Sequence, residues 1–306
     1  MNNNNEEYIN KREYKPVPLL DGIEEIRNDF EERMEQGDTT YGIEILDDCV
    51  ETIRKGSVTF IIAAPNTGKS LWSQVIAANL AKQNKQVLIC SCEMGAGLLM
   101  ERQIRMLLGI STYQLRKMYS DRRDVANTLM DSLIVDENYA YLQNVAICET
   151  GGATVEDLIK MFDCYNEYEY IIVDYIQRIR GQGSEYEVIT NAARELQTYA
   201  RRTGKKFIIC SQASRISNDD SKYGSKVDGS RIRGKGSGSI EEDADVGITL
   251  LELPEEGDRK ILATCFKNRY GNLKNISYKY VMDSRMCLRL EQKNYIPPEK
   301  NNQRRS

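Results

Sequence analysis

Eight residues, AAPNTGKS at 63–70, constrain this chain more than any others. They follow an apolar, β-branched run, VTFII, and open a stretch with helical spacing. Strand, turn and helix of this composition make a P-loop, G-x-x-x-x-G-K-[ST], with Ala63 in place of the first glycine. Such a turn gathers backbone amides and a helix N-terminus around an anion, so it specifies a phosphate cradle. The cradle is expected to comprise Ala64, Pro65, Asn66, Thr67, Gly68, Lys69, Ser70 and Leu71. Gly68 lets the backbone approach the phosphates, Lys69 reaches the β- and γ-phosphates of ATP, and Ser70 ligates Mg²⁺.

The rest of the chain agrees with a βα beginning. Apolar runs at 58–63, 87–92, 170–174, 207–211, 246–251 and 261–266 read as strands, with helical stretches at about 69–83, 97–108, 124–134, 154–166 and 188–202. The alternation predicts an α/β fold: a mainly parallel sheet flanked by helices, with an antiparallel extension at one edge where the last strands crowd together. Residues 1–17 are polar and Asn-rich and read as a disordered arm. Residues 18–37 hold a helix over 20–36, with Ile23, Ile26, Phe30 and Met34 on one stripe and Gly37 at its end. The core is expected over 38–290, and 291–306 as a polar tail.

Composition removes several chemistries. There is no histidine, which excludes His-based triads, His-ligated metals and an imidazole base. The eight cysteines never form C-x-x-C, and several lie in apolar runs, so neither a disulfide framework nor a zinc site is expected. No apolar run approaches the roughly 18 residues of a membrane span, and the polar start is no secretory signal; a cytoplasmic protein without membrane association is expected. The net charge of −4 argues against a uniformly basic surface but leaves room for a local basic loop.

A P-loop needs a second carboxylate on the metal side, at the end of a buried strand. YIIVD supplies Asp174, which with Ser70 forms the expected Mg²⁺ site. Glu93, at the end of the run 87–92, would stand over the edge where open α/β sheets bind ligands. It is the candidate to polarise an attacking water.

Taken in order, AAPNTGKS, CSCEM, YIIVDYIQ, FIICSQASR, SGSIEEDAD and FKNRYG resemble the DnaB-type replicative helicases of the RecA-like ATPase group, over roughly residues 40–290. The resemblance implies that the FIICS strand lies between the P-loop strand and the Asp174 strand, with the Glu93 strand beside the latter. It makes Glu93 the catalytic carboxylate and Gln212 a γ-phosphate sensor. It assigns Lys267 and Arg269 to the neighbouring subunit's ATP, Arg269 as an arginine finger, and so implies a hexameric ring. It makes the helix at 20–36 a linker docked on a neighbour. The loop 213–239, with six cations against three carboxylates, becomes a pore loop contacting single-stranded DNA through Arg231, Arg233, Lys235 and Gly236. The loop after Asp174, with Arg178, Arg180, Gly181 and Gly183, is a weaker second candidate.

The implied activity is ATP-driven, 5′→3′ translocation on single-stranded DNA, with primase, helicase loader and replicative polymerase as partners. The core begins near residue 40, without the family's N-terminal domain ahead of it, which looks more like a phage or plasmid form working in a host cytoplasm. Tyr270, and the absence of a proline after KNRYG, depart from the common family wording. Two other readings share the P-loop: a RecA- or KaiC-like ATPase that does not unwind DNA, and a nucleotide-stabilised replication adaptor.

Overall fold

Buried strands that alternate with amphipathic helices can satisfy both faces of a sheet at once, and this chain does so from residue 58 onward. The structure, a computed structural model, describes residues 20, 22–50, 52–213, 242–271, 276–283, 285 and 287–296. It divides into two units, residues 1–38 and 39–306.

The first unit holds helix α1 (Gly22–Gln36). Its stripe of Ile23, Ile26, Phe30 and Met34 is 48%, 58%, 55% and 86% exposed. Arg33 lies over the Phe30 ring and pairs with Asp38 at 2.9 Å. Gly37, at φ 75°, adopts the left-handed conformation that ends helices.

The second unit runs α2 (Glu44–Cys49), β1 (Val58–Ala63), α3 (Lys69–Lys82), β2 (Val87–Ser91), α4 (Ala96–Leu108), α5 (Thr112–Asp121) and α6 (Arg123–Val135). A 3₁₀ segment (Glu137–Asn144) leads into β3 (Val145–Glu149), α7 (Val155–Cys164) and β4 (Tyr170–Asp174). Then come a 3₁₀ turn (Ile176–Arg178), α8 (Glu185–Thr203), β5 (Lys206–Gln212), β6 (Val246–Leu253), β7 (Arg259–Asn268), β8 (Ser277–Met282) and β9 (Leu288–Gln292).

Among the described residues the strands form one sheet in the order β3-β2-β4-β5-β1-β6-β7-β8-β9. Pairing is parallel from β3 to β6 and antiparallel from β6 to β9. Strand β5 thus separates β1 from β4, and β2 lies beside β4, the layout implied by the resemblance.

Both faces of the sheet are covered. Ile61, Ile89, Ile172, Ile208 and Ile248 pack on one side with Trp72, Ile76 and Leu80 of α3. Phe60, Ile62, Ile171, Val173, Phe207 and Ile209 pack on the other with Phe162 of α7 and Leu196 and Tyr199 of α8. Alternate residues of one strand therefore enter opposite cores, which is why these strands read as unbroken apolar runs. Each fully buried large side chain contributes about 1.5–3 kcal/mol.

Three strands and two helices go beyond the expected set. β3 (VAICE) has an apolar run of only four residues and is only partly buried, and β8 mixes Lys279 with tyrosines. β9 reaches Gln292, inside the segment expected as a polar tail, and the Tyr295 N–H donates to Ser277 O at 2.6 Å. α2 and α5 are short, and α5 is mostly exposed. The expected arm, residues 1–17, lies outside the described residues.

Candidate active site

The P-loop turn is built by backbone that few residues tolerate. Asn66 and Gly68 take φ values of 63° and 110°, and α3 starts directly afterwards with no side chain capping its N-terminus. A Cβ on Gly68 would also stand 3.4 Å from Met282 Sδ, so glycine keeps this wall of the turn open. Lys69 folds back over the turn, its Nζ donating to Ala63 O at 3.1 Å and Ala64 O at 3.4 Å. Burial pushes its ammonium pKa down.

Asp174 ends β4 and is buried; burial pushes its carboxyl pKa up, offset in part by the neighbouring Ser70 hydroxyl and Lys69 ammonium. These oxygens are the hard donors Mg²⁺ prefers. Among the described residues there is no cluster of three His, Cys, Asp or Glu side chains able to hold a metal.

Glu93 lies two residues beyond the end of β2, in a turn pinned from several sides. The Cys92 N–H donates to Asp174 O at 2.9 Å, and Ser91 Oγ donates to Met94 O at 2.5 Å. The Glu93 carboxylate accepts from Arg178 Nη2 at 2.5 Å, a bond that holds the guanidinium pKa above its usual value. Gln212 ends β5 directly opposite Ala63 in register. Its backbone is clasped by Gln177, which accepts from Gln212 N at 3.0 Å and donates to Gln212 O at 3.2 Å and to Ser211 Oγ at 2.8 Å.

A cleft of about 390 Å³ joins these parts; Pro65, Asn66, Gly68, Lys69, Ser70, Leu71, Glu93, Asp174 and Gln212 all line it. Ala64 and Thr67 belong to the turn behind the lining. Four further side chains complete the wall: Met94, Arg102, Tyr175 and Arg259, besides Met282. Arg102, on α4, has its pKa lowered mainly by burial and feels the Asp174 charge. Sequence reasoning missed it, although a cation within two turns of a helix that opens at the Glu93 turn was a usable sign. Arg259 pairs with Glu252 at 2.6 Å and donates to Asn66 O at 2.5 Å; it comes from an antiparallel strand, and no local spacing links it to the P-loop.

Lys267 and Arg269 do not reach this cleft. β7 runs antiparallel to β6, so Arg259 stands at the cleft edge while Lys267, eight strand steps on, stands at the opposite edge, roughly 27 Å away. There Lys267 Nζ donates to Glu242 O at 2.7 Å, and Arg269 pairs with Asp245 Oδ1 at 2.5 Å. Arg269 follows the strand and does not sit on it: β7 stops at Asn268, and a register shift after Gly247 precedes the end. The turn is nevertheless well fixed. The Arg269 N–H donates to Asp245 O at 2.8 Å, the Tyr270 N–H to Asn268 Oδ1 at 3.0 Å, and Asn268 Nδ2 to Cys49 O at 2.8 Å. Tyr270, where the family wording differs, also stacks under Arg54 at 5.0 Å. The expected DNA contacts Arg231, Arg233, Lys235 and Gly236 lie outside the described residues.

Residues 39–286 match the family of the DnaB-like helicase C terminal domain. The chain belongs to that family. A probable plasmid replicative DNA helicase of Chlamydia trachomatis is 27% identical over 236 residues, covering 76% of this chain and 50% of that protein. The replicative DNA helicase DnaB of Helicobacter pylori is 26% identical over 217 residues, covering 67% of this chain and 42% of that protein. The chain thus spans about half the length of such curated relatives. In fold it is similar to a DnaB-like replicative helicase solved in a study of its interactions with primase, with a TM-score of 0.68 and 20% identity, over 92% of this chain and 68% of that one. A separately solved ATPase domain gives a TM-score of 0.72 at 19% identity, over 89% of this chain and 98% of that one. The nucleotide cleft described above lies within the stretch that matches the DnaB-like family.

Proposed function

We propose that the chain is an ATP-dependent replicative DNA helicase that assembles into a hexameric ring and moves 5′→3′ on single-stranded DNA. One observation carries this reading: a single cleft gathers Lys69, Ser70, Glu93, Asp174 and Gln212, while Lys267 and Arg269 stand fixed at the opposite edge of the sheet. A chain with its finger on the wrong side for its own cleft suits a ring in which each edge faces the next copy's cleft.

MgATP supplies the phosphoanhydride whose hydrolysis drives the cycle. Lys69 and the amides of the P-loop hold the β- and γ-phosphates, and Ser70 and Asp174 hold the magnesium. Glu93 orients a water and takes its proton. Gln212 bonds the γ-phosphate side and, through the chain that follows β5, passes its presence or loss to the DNA loop. Arg269 of the adjacent copy stabilises charge developing on the transferred phosphoryl, with Lys267 beside it. Arg231, Arg233, Lys235 and Gly236 follow the DNA backbone without regard to sequence. The exposed stripe of α1 is the surface for a neighbouring copy, which would cover Ile26 and Phe30. In this reading the protein works in the cytoplasm, a host's if it is phage-encoded, beside a primase, a loader and a replicative polymerase. Among the described residues no helix is long and apolar enough to cross a membrane.

The test is strand separation of forked DNA carrying a 5′ tail, a 3′ tail or both. Unwinding that requires the 5′ tail, together with ATPase stimulated by single strands, is expected. ATPase indifferent to DNA would overturn the reading. Replacing Ile26 and Phe30 with Asp should leave the fold intact and shift the assembly toward monomer in analytical ultracentrifugation.

A further inference from the structure

The Glu93–Arg178 pair is placed oddly for a carboxylate that must serve a water. A proton acceptor needs a lone pair directed at that water, and the bond from Arg178 Nη2 to Glu93 Oε1 at 2.5 Å fixes which way the carboxylate points. Glu93 lines the nucleotide cleft and Arg178 does not, so the guanidinium holds the carboxylate from outside. The backbone of Arg178 is anchored. It sits in a 3₁₀ turn anchored by the fully buried Ile176, with its guanidinium 5.5 Å over the Tyr175 ring.

The same turn touches the other working parts. Tyr175 carries Lys69 Nζ on its ring at 5.7 Å, and Gln177 clasps the backbone of Gln212. Past Arg178 the chain runs into a surface loop whose Arg180 N–H donates to Ala153 O at 2.9 Å. Whatever binds that loop is therefore one residue pair away from the catalytic carboxylate.

We infer that Arg178 is a positioning residue that keeps Glu93 withdrawn from the attacking water until a phosphodiester of single-stranded DNA takes the guanidinium away. The inference rests on the reading of Glu93 as the water-orienting carboxylate. The chemistry suits exchange. Both side chains are about half exposed, at 50% for Arg178 and 46% for Glu93, and ion pairs of that kind are weak. Guanidinium binds phosphate in a planar, two-pronged fashion, so a DNA backbone is a fitting competitor. Loss of the pair frees Glu93 Oε1 and lets the carboxylate turn, without moving any element of the sheet.

The test is steady-state ATPase of the full chain, with and without oligothymidylate, for wild type, Arg178→Ala, Arg178→Lys, Glu93→Gln and the double variant Glu93→Gln/Arg178→Ala. Arg178→Ala should raise the DNA-free kcat about fivefold, the size expected for a weak ion pair. KM for ATP should stay unchanged, and the stimulation by DNA should shrink by the same factor. Arg178→Lys, which keeps a cation beside Glu93, should restore most of the restraint. The double variant should be as inactive as Glu93→Gln, because the effect passes through that carboxylate. A DNA-free kcat that is unchanged or lower in Arg178→Ala, while Glu93→Gln is inactive, would overturn the role of Arg178 alone. Full turnover in Glu93→Gln would remove the reading of Glu93 itself, and the inference with it.

Discussion

The two edges of the sheet are made in different ways. At the cleft edge, the lining side chains come from the ends of parallel strands and the turns after them: Lys69 and Ser70 after β1, Glu93 after β2, Asp174 at β4 and Gln212 at β5. At the far edge, Lys267 and Arg269 belong to the end of an antiparallel strand and are held by Glu242 and Asp245. The first edge opens into the cleft; at the second, Lys267 and Arg269 stand away from it. In the ring proposed above, the two edges of neighbouring copies meet at one site.

The largest effects should come from removing one cation at each edge. Lys69→Ala and Arg269→Ala should each lower ATPase turnover by about 10³-fold, a typical size for charges on the transferred phosphoryl. They should differ in binding: a fluorescent ATP analogue is expected to bind normally to the Arg269 variant and poorly to the Lys69 variant. Equal loss of binding in both would erase the distinction between the edges. Next comes Glu93→Gln, which should cost about 10²–10⁴-fold in turnover with nucleotide binding retained, read by single-turnover hydrolysis.

A smaller effect separates fold from site. A Cβ at Gly247 would lie 2.2 Å from the ring of Phe266, which itself packs against the core beside α8. Gly247→Ala should destabilise the far edge by about 1–3 kcal/mol in denaturant melts. Its nucleotide affinity should stay at the wild-type value. The smallest effect concerns Asp47, whose N–H partner Tyr41 lies at 2.7 Å and whose pKa burial pushes up to about 6. Its helix, α2, is tied to the finger turn through Cys49 and Asn268. A carboxyl raised in the folded state contributes stability that is fully present below its unfolded pKa and lost as pH rises through about 6. The melting temperature of wild type should therefore fall more between pH 5 and pH 7 than that of Asp47→Asn.

Much of the cleft edge was legible in the sequence because its chemistry is local. A P-loop is one contiguous turn, and Asp174 stands at the end of a run buried on both faces. Glu93 was placed on its strand and found just past it, since Ser91 turns the chain by donating to the Met94 carbonyl. Arg102, Tyr175 and Arg259 were not legible as a set, because only the order of the strands brings helix α4, the turn after β4 and antiparallel β7 to one wall. The strands β3, β8 and β9 escaped for other reasons: β3 (VAICE) is short and only partly buried, β8 (SYKYVM) carries Lys279 between tyrosines, and β9 (LRLEQ) is mostly polar.

The division of the site between copies is tested most directly by mixing. Lys69→Ala and Arg269→Ala chains, each inactive alone, are combined in varied ratios and assayed for ATPase. Copies that meet with an intact cleft facing an intact finger should hydrolyse ATP, so activity should reappear and peak near equal proportions. Mixtures as inactive as either variant alone, in assemblies shown to exchange chains, would contradict a shared site and place the finger's action elsewhere.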